Sequence, residues 1–308
     1  MNPARPNKSP IHPPLLAGIE AGGTKYVCSV AVDPRAPLLE VRFPTRAPKE
    51  TMEEAAAFFS RAVELHGPIS ALGIGTFGPA ELDTQSPEFG SILTTPKLGW
   101  GGFNVVNAMR RSVGESVPIA FDTDVNAAAI AESQFGAGQG HRFVAYVTIG
   151  TGIGAAFIHD GNLLHGRMHP EVGHIQLPDF DSAIGKDTNH CDFHSSCFEG
   201  RASGPAIEAR WGVPPHDLPD IHEAWELQAS YLAAGCITLT AVWSPDIIIL
   251  GGGVSQKPGL IDRVRRQFRE QSGGYWKLPP LESYLQTPSL DQQAGIVGAL
   301  TMAQRLIA

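Results

Sequence analysis

The chain contains no apolar run approaching the roughly 20 residues that a membrane-spanning helix requires, so nothing in it reads as a membrane protein. It is short of positive charge: 23 Lys and Arg stand against 31 Asp and Glu, a net charge of −8. Nucleic-acid binding needs clustered cations against phosphates, and this balance argues against it. Cysteine is scarce as well. Four in 308 residues do not make a disulfide framework, which points to a reducing cytoplasm. The start, MNPARPNKSPIHPP, lacks the apolar segment of a secretory signal and reads as a flexible leader over residues 1–17. None of the glycine turns follows the G-x4-G-K-S/T spacing of a Walker loop or the G-x-G-x-x-G spacing of a dinucleotide fold.

What remains is a hydrophobic fraction of 43%, enough in a chain of this length for two cored α/β domains. LLAGIE and YVCSVAVD are strands joined by the turn AGGTK. EVRFPTRAP is a third strand. Helical spacing predicts a helix over 51–66, with Thr51 as N-cap and Glu54 as its capping-box partner. ISALGIGTFGPA is a buried strand, 103–113 a helix, and PIAFDTDVNAAAIAESQFG a strand turning into a helix near Val125. FVAYVTIGTGIGAAFIHDGNLL then repeats the strand, glycine turn, strand pattern, which suggests duplication of one unit. Helices over 204–211 and 222–243, the strand DIIILGGGVS, and helices over 259–271 and in the last segment complete the chain. Alternating elements argue for a mixed sheet. The boundary falls near Asp124: residues 18–123 form the first domain, residues 294–308 return to it, and 124–293 form the second.

Three glycine turns each follow a strand: Gly22, Gly23, Thr24 and Lys25; Gly150, Thr151, Gly152 and Gly154; and Gly251, Gly252 and Gly253. Backbone without Cβ atoms approaches phosphate oxygens closely and offers them N–H groups. An ordinary hairpin needs glycine too, but three such turns favour a nucleotide site. Glu20, just before the first, could hold a magnesium-bound water. Asp124 opens a helix, where a carboxylate is either a cap or a base that accepts a hydroxyl proton in phosphoryl transfer. Asp122 is a cap or turn residue.

The spacing C-x2-H-x2-C at Cys191, His194 and Cys197, with His174 supplying a fourth group across a spacer of 16 residues, suits tetrahedral zinc. His190 is a rival ligand, and His169 reads as a surface or loop residue. Cys28 and Cys236 read as core. Glu171 and Glu199 flank the ligands, either as solvated charge or as groups a metal loop orients.

These motifs together resemble the ROK family of sugar kinases (repressors, open reading frames and kinases), most nearly its zinc-containing fructokinases. GIEAGGTKYVC, TFGPA, TTPKLGW, DTDVNAAA, TIGTGIG, HPEVGH, the C-x2-H-x2-C loop, CFEGRASGPAIEARWG and AGIVGA carry the likeness from Gly18 to Ala308. It implies an actin-like ATPase fold with two α/β domains and a cleft, with ATP and Mg2+ as the phosphoryl source, structural Zn2+, a hexose acceptor (most nearly fructose) and a homodimer. It makes Asp124 the catalytic base and places Glu171, His174 and Glu199 on the sugar, with Asn104 and Asn126 as further hydroxyl contacts. Gly22, Gly23, Thr24 and Lys25, with Thr151, Gly152 and Gly154, become phosphate loops; Gly252 and Gly253 take adenosine; and His174, Cys191, His194 and Cys197 hold zinc. Two departures from the general family, Glu20 for Asp and the C-x2-H-x2-C loop itself, are shared with the fructokinase group. Ser195 and Ser196 replace that group's usual Gly-Asp.

Overall fold

The computed structural model describes residues 13–95, 97–185 and 189–308, with backbone alone at 183 and 184. Residues 1–12 of the expected leader lie outside this range; residues 15–17 do not belong to a leader, because they pair in the first strand. The first sheet comprises β1 (Leu15–Ala21), β2 (Lys25–Asp33), β3 (Ala36–Pro44), β4 (Ile69–Thr76) and β5 (Ile119–Thr123). Its order is β3-β2-β1-β4-β5. The first three strands form an antiparallel meander, and β4 and β5 add in parallel. Helices α1 (Pro48–His66) and α2 (Val105–Val113) connect them, and α3 (Asp124–Phe135) leaves the sheet at the end of β5.

The second sheet comprises β6 (Phe143–Ile149), β7 (Ile153–His159), β8 (Asn162–Leu163), β9 (Ile247–Gly251) and β10 (Leu285–Gln286). Its order, β10-β9-β6-β7-β8, is the first sheet's plan read from the other end: a meander, then two parallel strands beside its first member. The duplication suggested by the two glycine hairpins therefore extends to whole sheets. Between β8 and β9 run α4 (Phe198–Ala202), α5 (Gly204–Trp211) and α6 (Ala224–Trp243). Then come α7 (Leu260–Ser272), α8 (Leu281–Tyr284) and α9 (Ala294–Arg305).

Helix α3 buries every residue from Val125 to Glu132, as a helix packed on all sides must. One neighbour is α9, where a methyl group at Gly298 would stand 1.8 Å from the Ala127 carbonyl oxygen. The opposite side of α9 lays Ile296, Leu300 and Ala303 against Leu16, Val27, Ala31 and Ala71 of the first sheet. Ala294 and Val297 join the core of α3 and the second sheet. The two helices thus fill the space between the sheets and fix the start of α3.

Several ends differ from expectation. Helix α1 begins at Pro48, not Thr51, because proline's fixed φ suits the first helical turn. Thr51 instead accepts the Arg46 N–H at 3.0 Å, and Glu54 pairs with Arg46 at 2.6 Å. Helix α6 starts at Ala224 rather than at residue 222.

Candidate functional site: a cleft between glycine turns and a Cys/His cluster

The first glycine turn closes with the Gly22 N–H on the Lys25 carbonyl at 2.9 Å. Thr45 braces it twice, its hydroxyl on the Gly22 carbonyl at 2.7 Å and its N–H on the Thr24 carbonyl at 2.9 Å. A side chain at Gly23 would meet nothing within 4 Å, so the turn faces open space. At the third turn Gly252 has φ +84°, and a β-carbon there would lie 2.3–2.6 Å from the backbone of Ile149. Only glycine serves there. That close approach sets the third turn against the second, which begins at the next residue.

A cavity of about 320 Å3 lies where these parts meet. Glu20, Lys25, Asp124, Val125, Tyr146, Thr148, Gly252, Gly253, Asp291 and Gly295 are among its walls. Lys25, Gly252 and Gly253, expected on separate loops, thus share one cavity with Asp124. Gly154 packs on Val125, and Gly152 on the Glu199 carboxylate. Thr151 is exposed at the tip of its turn.

Asp124 stands at the first position of α3, but Thr123 caps the helix, its hydroxyl accepting the Asn126 N–H at 3.2 Å. The Asp124 carboxylate is therefore spared from capping, and its Oδ1 meets the Val125 N–H at 2.8 Å. Desolvation pushes this carboxyl up to about 7; the Val125 hydrogen bond opposes the shift and the charge of Glu20 adds to it. Glu20 is itself raised, first by burial. Its Oε2 is shielded from water and has no hydrogen-bond partner among the described residues, an unmet acceptor of the kind a hydrated Mg2+ would satisfy.

On the other side of the second turn, one ligand atom from each of His174, Cys191, His194 and Cys197 lies within 4.8 Å of the others. Two thiols, two imidazoles and a buried His174 Nδ1 without a partner among the described residues fit a closed zinc site. His190 is exposed and outside the cluster. Asn189 laces the loop, donating to the carbonyls of Cys191 and His194. Cys197 caps α4, accepting the Gly200 N–H at 3.3 Å. That places Glu199 in the first turn, where it accepts the Ile153 N–H at 2.8 Å. Glu171 lies beside this group: its carboxyl is raised first by burial, lowered by His174 and raised by Glu199.

His169, expected as a surface or loop residue, lies in a loop but is only 9% exposed. Its Nδ1 lies 3.5 Å from Glu171 Oε1, and its buried Nε2 has no partner among the described residues. His165, not singled out in the sequence, lies 3.1 Å from Asp122. Asn126 is buried with its amide nitrogen 2.5 Å from Asp122 Oδ1 and 3.2 Å from His165 Nε2. The available signal was His165 standing four residues before His169, which opens HPEVGH. Asn104 caps α2 through its oxygen and commits its amide to Phe89 and Ser91, so its contacts are those of a cap.

A family model for the ROK family matches residues 16–306. A fructokinase of Zymomonas mobilis is 39% identical over 92% of this chain and 95% of its own. One from Pediococcus pentosaceus is 37% identical over 94% and 98%. Among solved structures, a ROK family glucokinase from Streptomyces griseus, in complex with glucose and AMPPNP, superposes with a TM-score of 0.74 at 26% identity, covering 94% of this chain and 99% of that one. The repeated two-sheet plan is the actin-like ATPase fold that such kinases share. The chain belongs to the ROK family.

Proposed function

We propose that the chain is an ATP-dependent fructokinase that transfers the γ-phosphoryl group of ATP to the 6-hydroxyl of D-fructose. The observation that carries this reading is the setting of Asp124: a carboxylate freed from helix capping, in a cavity lined by Lys25 and the third glycine turn. Full-length likeness to fructokinases supports the choice of sugar.

In this reading the two halves of the chain, 18–123 with 294–308 and 124–293, close on ATP and sugar and exclude water that would waste the nucleotide. The turns at Gly22–Lys25 and Thr151–Gly154 cradle phosphates, and Gly252 and Gly253 face adenosine. Asp124 accepts the proton of the sugar's 6-hydroxyl as that oxygen bonds to the γ-phosphorus. The bond from the γ-phosphorus to the bridging oxygen breaks, and ADP leaves. A base held near pH 7 is matched to this task. Glu171, His174 and Glu199 orient sugar hydroxyls, and Asn126 supports them through Asp122 and His165. Glu20 would hold water of an ATP-bound Mg2+, which supplies charge neutralisation. His174, Cys191, His194 and Cys197 would hold a structural Zn2+ that stiffens the sugar side. The working form is taken as a cytoplasmic homodimer.

The test is a hexose panel with ATP and Mg2+, reading ADP release against fructose, mannose, glucose and N-acetylated hexosamines. Fructose should give the highest kcat/KM. Preference for another hexose would move the substrate, and no sugar-dependent ADP release from any would end the kinase reading.

A further inference from the structure

We propose that Lys97 is a second phosphate-contacting cation, whose ammonium group binds and stabilises the terminal phosphoryl group of ATP during transfer. This rests on reading the first glycine turn as a phosphate cradle. Lys97 belongs to the long connection between β4 and α2, far in sequence from that turn. Yet its Nζ donates a hydrogen bond to the Gly23 carbonyl at the turn's centre.

The bond is not needed to shape the turn. The carbonyls of Gly22, Thr24 and Lys25 already have partners in Thr45 and Gly22. Nor does a carboxylate compensate the charge: among the described residues, Lys97 forms no ion pair. An ammonium has three donors, and one bond to a carbonyl leaves two for a ligand. Around Gly23 there is open space, and Lys25, which begins β2 at the turn's end, already lines the cavity holding Asp124. In a chain of net charge −8, two lysines converging on one glycine turn are placed for an anion.

The connection itself is built to hold Lys97 in place. Trp100, three residues on, is wholly buried. Its indole N–H donates to the Arg46 carbonyl at 2.9 Å, and its ring meets Tyr26, Phe77 and Phe103. The Trp100 N–H reaches the Lys97 carbonyl at 3.1 Å, and the Lys97 N–H reaches Thr95 Oγ1 at 3.3 Å. Leu98, between them, is 93% exposed. An aromatic anchor thus fixes a short segment whose outward residues are otherwise unsupported, and the side chain it delivers inward is the cation.

The test compares Lys97→Met, and Lys97→Gln, which keeps a donor for the Gly23 carbonyl but removes the charge. Binding of AMPPNP, ADP, adenosine and fructose to the full zinc-loaded chain is measured by calorimetry, alongside steady-state turnover. Losing one charged contact to the transferring group should lower kcat/KM for ATP by about 10- to 100-fold. AMPPNP affinity should fall about tenfold, with ADP, adenosine and fructose within about twofold of wild type. Equal weakening of AMPPNP and ADP, or unchanged AMPPNP binding and turnover in the Gln variant, would overturn the assignment. So would a loss of melting temperature in the Gln variant with all ligands weakened, which marks a tether only. Wild-type protein that binds no AMPPNP would instead sink the kinase reading.

Discussion

Glu199 accepts the backbone N–H of Ile153 at 2.8 Å, so one carboxylate joins the Cys/His loop to the second glycine turn. Its helix is capped by Cys197, and Ile153 starts the strand leaving the turn. If one oxygen holds the turn, the other remains for a sugar hydroxyl. Glu199→Ala should therefore raise KM for both fructose and ATP, each by about tenfold. Initial-rate kinetics with each substrate varied would show it. A change confined to one substrate would separate the two sides.

Chelation should unfold the sugar side first. The metal loop is held by Asn189 and by strand-like contact with 176–177, little without four ligands pulled together. Zinc binding energy in such loops is folding energy. Removal with a strong chelator should lower the melting temperature by about 4 °C or more and abolish turnover, with one zinc per chain by elemental analysis beforehand. An active, metal-free preparation would contradict this.

The acid limb of kcat/KM should report Asp124. Its carboxyl is pushed up to about 7, and the ionised form is the working base, so activity should rise with pH through about 7. Stability runs the other way. A carboxyl whose folded pKa exceeds its unfolded value of about 3.9 contributes fully below that value, and the contribution is lost as pH rises through about 7. Asp124→Asn removes this penalty, so its melting temperature should exceed wild type more at pH 8 than at pH 5. Thermal scans at both values check the sign.

Gly298→Ala probes the contact that fixes the start of α3. The added methyl would lie 1.8 Å from the Ala127 carbonyl oxygen, backbone that cannot move without shifting α3. Overpacking of this kind costs about 2 kcal/mol, measured by urea unfolding. An unchanged midpoint would mean that α3 and α9 slide freely.

Much of this was legible from pattern. Strand, glycine turn, strand at 15–33 and 143–159 reads directly because nearly continuous apolar runs flank glycine-rich turns. Cys191, His194 and Cys197 are legible through spacing, since local geometry fixes what one loop can offer. Asp124 was visible only as a carboxylate at a helix start. Its release from capping depends on Thr123, which sequence cannot rank against it. His165 and Lys97 were not singled out, because their significance comes from partners far away in sequence, Asp122 and Gly23. The short strands β8 and β10, two residues each, have too little pattern to declare themselves.

The most direct test of the account is turnover by Asp124→Asn with saturating fructose, ATP and Mg2+, with fructose and AMPPNP binding measured on the same protein. Loss of a general base in this setting should lower kcat by about 10^2- to 10^4-fold while both ligands bind within about threefold of wild type. Turnover near the wild-type rate with intact binding would contradict the assignment of Asp124 as the group that takes the sugar's proton.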